Sequence, residues 1–143
     1  MSSLPASILF ACTRNTIRSP MAEAMMKHLH GAHVFVDSVG TERRDDAADP
    51  FAIAVMQEIA LDLSGHRPMA FADMDDLSFD LIVTFTADAR AYAETLTRAV
   101  ACEVEFWPTP DATLVVGNRA TVMAAYREVR DIIFARLKQA FPA

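Results

Sequence analysis

The sequence predicts an α/β fold, a parallel sheet with helices on both faces, in one domain. Four short apolar runs of strand length alternate with runs whose apolar residues recur at helical spacing, the pattern of βα units. The length, 143 residues, suits one hydrophobic core better than two. No internal repeat or linker-like stretch divides the chain, so residues 1–143 are expected to form a single domain.

The first strand is read over Ser7–Ala11, a continuous apolar run. A helix from Pro20 to about His30 follows, with Met21, Met25 and Leu29 on one face. Ser19 stands as its N-cap, Pro20 as its first residue and Gly31 as its stop, each a favoured choice there. The second strand is placed at His33–Asp37, with a polar loop over residues 42–48. Asp49-Pro50 opens a second helix, as cap and first-turn proline. It runs to about Leu61, with Phe51, Ala52, Val55 and Ile59 facing inward. Asp80–Thr86 is the third strand and Ala87 to about Val100 the third helix. Cys102–Trp107 is the fourth strand, ended by Pro108-Thr109-Pro110-Asp111. The last helix spans Arg119–Ala140, with Val122, Tyr126, Val129, Ile133 and Leu137 on one stripe. Met21, Met25 and Met26 are read as core.

Composition narrows the functional classes. Apolar residues make up 52% and charged residues 22%, which describes a globular chain. A net charge of −6 argues against nucleic acid as a partner. No apolar run approaches the roughly 20 residues of a membrane span, and no membrane partner is expected. The stretch Met1-Ser2-Ser3-Leu4-Pro5 has no basic region of a signal peptide, so a cytoplasmic setting is expected. The two cysteines, Cys12 and Cys102, are then reduced thiols. No His/Cys group has metal-ligand spacing, and His28 and His30 diverge on a helix, so no metal site is expected.

The chemistry concentrates in Cys12-Thr13-Arg14-Asn15-Thr16-Ile17-Arg18-Ser19. This segment joins a strand end to a helix N-terminus, where backbone amides and the helix dipole favour an anion. A cysteine and an arginine five residues apart share one tight loop around a phosphate-sized group. Arg18 grips two oxygens with its planar fork, and the amides of Thr13 to Ser19 supply further donors as a nest. Cys12 is the candidate nucleophile, its thiolate favoured by the positive surroundings. Asn15 holds the loop's shape, and Ser19 hydrogen-bonds the sulfur. Leaving-group chemistry also needs a proton. Asp111, in the loop after the fourth strand, opens on the same sheet edge and is the candidate acid. Asp49 is read as a helix cap instead, and His66 as a loop residue that packs and hydrogen-bonds.

At these residues the chain resembles the low-molecular-weight protein tyrosine phosphatase family. The resemblance rests on Ile8-Leu9-Phe10-Ala11 followed by Cys12-x-x-Asn15-x-x-Arg18-Ser19-Pro20-x-Ala22-Glu23-Ala24. It extends through Asp37-Ser38-Val39-Gly40-Thr41, Asp62-Leu63-Ser64-Gly65-His66-Arg67 and the late aspartate loop, nearly the whole chain in order. It implies a four-stranded parallel sheet in a flavodoxin-like arrangement. It implies Cys12 as nucleophile through a phosphocysteine, Arg18 as phosphate clamp and Ser19 as thiolate partner. Asn15 would organise the loop, Ser38 would tether Asn15, and Asp111 would act as acid and then base. No metal or organic cofactor is implied. The implied partners are phosphate-like oxyanions and a phosphorylated protein or small phosphomonoester, handled by a monomer or weak dimer.

Four departures from the family pattern stand out. Arg14 replaces a glycine, Ala112 replaces the proline after the acid, and Ala112, Thr113 and Leu114 stand where aromatic residues often line the cleft. Ile17 replaces a second loop cysteine of some relatives. Phosphate chemistry is expected regardless, while the preference for phosphotyrosine is left open. The rival readings are an arsenate reductase served by an external thiol and a non-catalytic phosphate-binding module. The first would ordinarily use cysteines near Thr86–Thr95, where there are none; the second needs no nucleophile.

Overall fold

In the computed structural model, residues 4–142 are described. Met1, Ser2 and Ser3, on which part of the N-terminal reading rests, lie outside the described residues, as does Ala143. The unbroken apolar character of the first strand puts it at the centre. β1 (Ser7–Cys12) is buried on both sides from Ile8 onward, and β3 (Leu81–Thr84) is buried throughout. β2 (Phe35–Gly40) and β4 (Glu103–Phe106) form the edges. The four strands make one parallel sheet in the order β2-β1-β3-β4. The outward glutamates of β4, Glu103 and Glu105, keep that edge from pairing with another chain.

Period-two alternation along β1 serves two cores. Ile8, Phe10 and Cys12 join the larger one with Met21, Met25 and Met26 of α1 (Arg18–His30) and Ile133 and Leu137 of α4 (Arg119–Ala140). α2 (Pro50–Gln57) contributes Ala52, Val55 and Met56 to it. Leu9 and Ala11 point the other way, to Phe71, Phe79, and Ala89 and Ala93 of α3 (Ala87–Leu96). The three methionines of α1 are fully buried, as expected of core. The α/β class, the parallel sheet and all eight main elements match the expectation.

Boundaries shifted for identifiable reasons. α1 starts at Arg18, so Ser19 is not its N-cap; Ile17 stands there without a side-chain cap. The Ser19 hydroxyl is committed to the site described below. β2 runs two to three residues later than expected, because the amides of His33 and Val34 close a turn on the His30 carbonyl. The stretch Ser38-Val39-Gly40 therefore belongs to the strand, and Gly40 pairs beside Cys12. α3 stops at Leu96, where the Thr97 hydroxyl returns to the Ala93 carbonyl. Two short 3₁₀ turns, Phe71–Asp73 and Ala112–Leu114, carry no periodic signal and were not expected.

Two caps follow the sequence. Asp49 accepts from the amides of Phe51 and Ala52 at the start of α2. Asn118 accepts from Thr121 at the start of α4. α2 ends earlier than expected because Leu61 N–H bonds the Met56 carbonyl and Ala60 N–H bonds that of Gln57, a Schellman closure. Ala60 sits at its left-handed position, φ 61°, where a side chain costs about 1–2 kcal/mol. Replacing it with glycine is expected to stabilise the fold by about 0.5–1 kcal/mol. Urea denaturation would read this as a higher midpoint at unchanged slope.

Candidate active site

β1, β2 and β3 deliver their carboxyl ends side by side, with Cys12 opposite Gly40 and Ala11 opposite Thr84. Ligands of such sheets sit outside this edge, where the strand order reverses; here that point lies between β1 and β3. The Cys12–Ser19 loop springs from it. Gly40 is obligatory beside the loop, since a Cβ there would lie 2.5 Å from the Thr13 carbonyl oxygen and 2.9 Å from the Asn15 nitrogen.

Asn15 is fully buried with φ 59°, a left-handed conformation that asparagine tolerates better than most residues. Its amide nitrogen donates to Ser19 Oγ at 2.8 Å and Ser38 Oγ at 2.9 Å. Its amide oxygen accepts from the Met69 backbone at 2.9 Å and from His66 Nε2 at 3.1 Å. His66 Nε2 also lies 2.9 Å from the Asn15 carbonyl. Both of its partners are acceptors, so this nitrogen carries the ring hydrogen. Ser38 in turn donates to Glu23. The expected tether of Asn15 by Ser38 is present, and His66 joins it as a hydrogen-bonding loop residue. Glu23 and Met69 were not anticipated.

The Cys12 sulfur is 2.8 Å from Ser19 Oγ and accepts from the Asn15 backbone amide at 3.3 Å. Ser19 already accepts from Asn15, which leaves its hydroxyl hydrogen for the sulfur or for the Val39 carbonyl at 3.3 Å. Donors thus converge on a sulfur that opens into a cavity of about 620 Å³.

The other expected residues share that cavity. Thr13, Arg14, Thr16, Ile17 and Arg18 line it with Cys12, and Asp111 lines it from the loop after β4. Arg18 donates to the Thr109 carbonyl at 3.1 Å, bridging the two loops. Asp111 caps the second 3₁₀ turn, accepting from the Thr113 amide at 2.9 Å and its hydroxyl at 2.6 Å. Burial pushes the Asp111 carboxyl up, but Thr113, Arg18 and Arg14 outweigh it and hold the group below its ordinary value. Arg14 stands at the exposed rim, 3.8 Å from Glu42.

The acidic part of the lining was not anticipated. Asp45, Asp46 and Asp49 make it up; only the charge pair Asp45-Asp46 in a polar loop hinted at it. Asp49 spends one oxygen on its cap and the other on the Tyr126 hydroxyl at 2.9 Å. Neither Phe106 nor Trp107 lines the cavity, and among the described residues no aromatic side chain does. Trp107 is buried, its ring edge-on to Phe85, and Phe106 lies under Arg90.

Cys102 lies far from this site. It precedes β4 at the opposite sheet edge, about five residues or 16 Å along the strands from Cys12 and two strands over. A disulfide needs Cα atoms within about 7 Å. Both cysteines are free. Among the described residues no group of three or more His, Cys, Asp or Glu is arranged to hold a metal ion. No helix of the described residues is long and apolar enough to cross a membrane.

Residues 7–141 match the family described as low molecular weight phosphotyrosine protein phosphatase. The chain belongs to this family. It is 33% identical to an arsenate reductase of Bacillus subtilis over 92% of each chain. Its fold matches the tyrosine phosphatase Wzb of Escherichia coli K30, solved with sulphate, at TM-score 0.79 and 22% identity, covering 95% of this chain and 96% of that one. A low molecular weight protein tyrosine phosphatase of Bacillus subtilis aligns at TM-score 0.74 and 25% identity over 93% of each chain.

Asp111 yields a titration with a defined sign. With its folded value held below the ordinary 3.8, its charged form stabilises the fold above about pH 4. That contribution disappears as pH falls through the lowered value. Thr113→Val removes the hydroxyl contact and is expected to raise the Asp111 pKa, followed by carboxyl carbon NMR. An unmoved titration would show that Thr113 does not hold the carboxylate.

Proposed function

We propose that this member of the family is a cysteine-dependent phosphomonoester hydrolase, a single catalytic domain working through a phosphocysteine. The observation that carries the reading is one cavity holding Cys12, Arg18 and Asp111 together. In the first step the Cys12 thiolate attacks phosphorus, the bond to the leaving oxygen breaks, and Asp111 supplies that oxygen with a proton. In the second, the Asp111 carboxylate takes a proton from water as its oxygen attacks phosphorus. The P–S bond breaks, and inorganic phosphate and thiolate are released. Arg18 spans two equatorial oxygens in both steps. Thr13 to Ser19 form the phosphate loop, with Asn15, Ser19 and Ser38 as its support. Thr113, Arg18 and Arg14 hold Asp111 below its ordinary value in the free protein, and the acid role requires that it carry a proton when the substrate is bound.

The substrate is a phosphorylated protein or small phosphomonoester. The cavity offers no aromatic face for a phosphotyrosine ring to stack on, so selectivity rests on the loop and the acidic wall. Two free thiols without a partner support a cytoplasmic, reducing setting.

The similarity to an arsenate reductase favours one second reading. Arsenate is a tetrahedral oxyanion of similar shape, and Cys12 would attack its arsenic. Its two-electron reduction would then need external thiols that end as a disulfide, because Cys102 is out of reach and α3 holds no cysteine.

Hydrolysis of p-nitrophenyl phosphate near pH 6 tests the assignment. Cys12→Ser is expected to abolish turnover, and Asp111→Asn to reduce kcat by about 10²–10⁴-fold. Wild-type protein inert toward the phosphoester, but oxidising a small thiol in step with arsenate, would replace hydrolysis by the second reading.

A further inference from the structure

Three loops at the carboxyl edge of the sheet converge on one carboxylate outside the phosphate loop, that of Asp88. Thr13, the residue after Cys12, donates its hydroxyl to Asp88 at 3.0 and 3.1 Å from the two oxygens. Thr41, the residue after β2, donates at 2.7 Å. Thr86, which caps α3, also hydrogen-bonds it. Asp88 itself sits in the first turn of α3.

The same residues are joined through the backbone. Thr41 N–H bonds the Cys12 carbonyl and Glu42 N–H the Thr13 carbonyl, both at 3.0 Å. Thr41 Oγ1 lies 3.3 Å from that Thr13 carbonyl. Thr13 is therefore held by its side chain to α3 and by its carbonyl to the segment after β2.

A negative charge beside an anion loop opposes the anion, so its position asks for a geometric reason. A carboxylate presents two acceptor oxygens and no donor, so it accepts from both threonine hydroxyls whichever way it turns; here Oδ2 lies 3.1 Å from Thr13 and 2.7 Å from Thr41, and Oδ1 lies 3.0 Å from Thr13. The helix N-terminus and the hydroxyls compensate the charge.

We propose that Asp88 is a positioning residue: by clamping Thr13 and Thr41 from outside, it fixes the first half of the phosphate loop in the geometry that receives an oxyanion. The proposal rests on the hydrolase reading but is read out separately, through binding of inorganic phosphate.

The test is calorimetric titration of Asp88→Ala, Asp88→Asn, Thr13→Val and the double variant Asp88→Ala/Thr13→Val with inorganic phosphate. It is paired with kcat/KM for p-nitrophenyl phosphate and with melting temperature. Asp88→Ala is expected to weaken phosphate binding and lower kcat/KM by about tenfold or more. Asp88→Asn, whose single amide oxygen still accepts, recovers part of both. The double variant is no worse than Asp88→Ala, since the two changes remove one interaction. Phosphate affinity unchanged in Asp88→Ala, or losses that simply add in the double variant, would overturn the clamp. Should Asp88→Ala not fold, Thr13→Val and Thr41→Val decide: both must bind phosphate more weakly, and wild-type affinity in both refutes it. Wild-type protein that neither binds phosphate nor turns over removes the hydrolase reading and the clamp together. A fully active wild type with indifferent variants removes the clamp alone.

Discussion

The phosphate loop must reverse direction around a sulfur within a few residues, and it does so at Asn15. The turn needs a left-handed residue, and burial of that residue demands that every polar valence be met. Asparagine answers both demands, because its amide supplies two donors and an acceptor oxygen with two lone pairs. Ser19, Ser38, Met69 and His66 fill them. These partners come from α1, from β2 and from the segment ahead of the first 3₁₀ turn. The loop's shape is thus fixed by its own Ser19 together with Ser38, His66 and Met69 from two other parts of the chain. A buried network of this kind is strong when complete and costly when one member is missing. The placement of Cys12 against Ser19 inherits that rigidity.

The charge distribution around the cavity follows a division of labour. The chain carries a net charge of −6, yet its one deep nucleophile faces two arginines. Three of the carboxylates nearby are engaged in hydrogen bonds of their own. Asp49 is consumed by its cap and Tyr126, and Asp111 is held by Thr113. Asp88 is consumed by threonines. On the hydrolase reading, a tetrahedral anion settles on the loop beside Arg18. Whatever carries the phosphate then lies against a wall of short polar and acidic side chains without a ring. Such a wall contributes little binding through stacking, so it places most recognition in the phosphate itself.

Much of this was legible in the sequence because the informative features were local. Apolar runs and helical stripes gave the eight elements in order. Asp49-Pro50 announced its own cap, and Cys12-x5-Arg18 between strand and helix announced the anion loop. What escaped was set by distant partners. Ser19 looked like an N-cap because Ser-Pro is a common start; its hydroxyl was instead claimed by a sulfur and an amide brought in by tertiary contact. The end of β2 looked like loop because Ser38-Val39-Gly40 lacks strand propensity; pairing with the central strand overrode that. Asp88 carried no pattern at all, and Asp45-Asp46 showed only as a charge pair in a polar loop, since their places exist only once separate loops meet at the sheet edge.

The start of α3 bears on which chemistry the site supports. A reductase that finishes its own reaction needs a second thiol able to reach the first, and the nearby loop after β3 is where one would have to stand. In this chain that position holds Thr86, which caps α3, and Asp88, which accepts from Thr13 and Thr41. A thiol in place of Asp88 would remove the hydrogen bonds that join Thr13 and Thr41 to α3. The remaining cysteine is placed by the sheet register at the opposite edge, and burial together with Asp80 and Glu103 pushes its thiol up, away from the reactive thiolate form. Parallel pairing thus separates the two sulfurs as firmly as it gathers Cys12, Gly40 and Thr84 at one edge. A nucleophile isolated in this way returns to its starting state when water displaces the group it carries. That suits repeated hydrolysis, and it makes any reductive cycle dependent on thiols brought from outside.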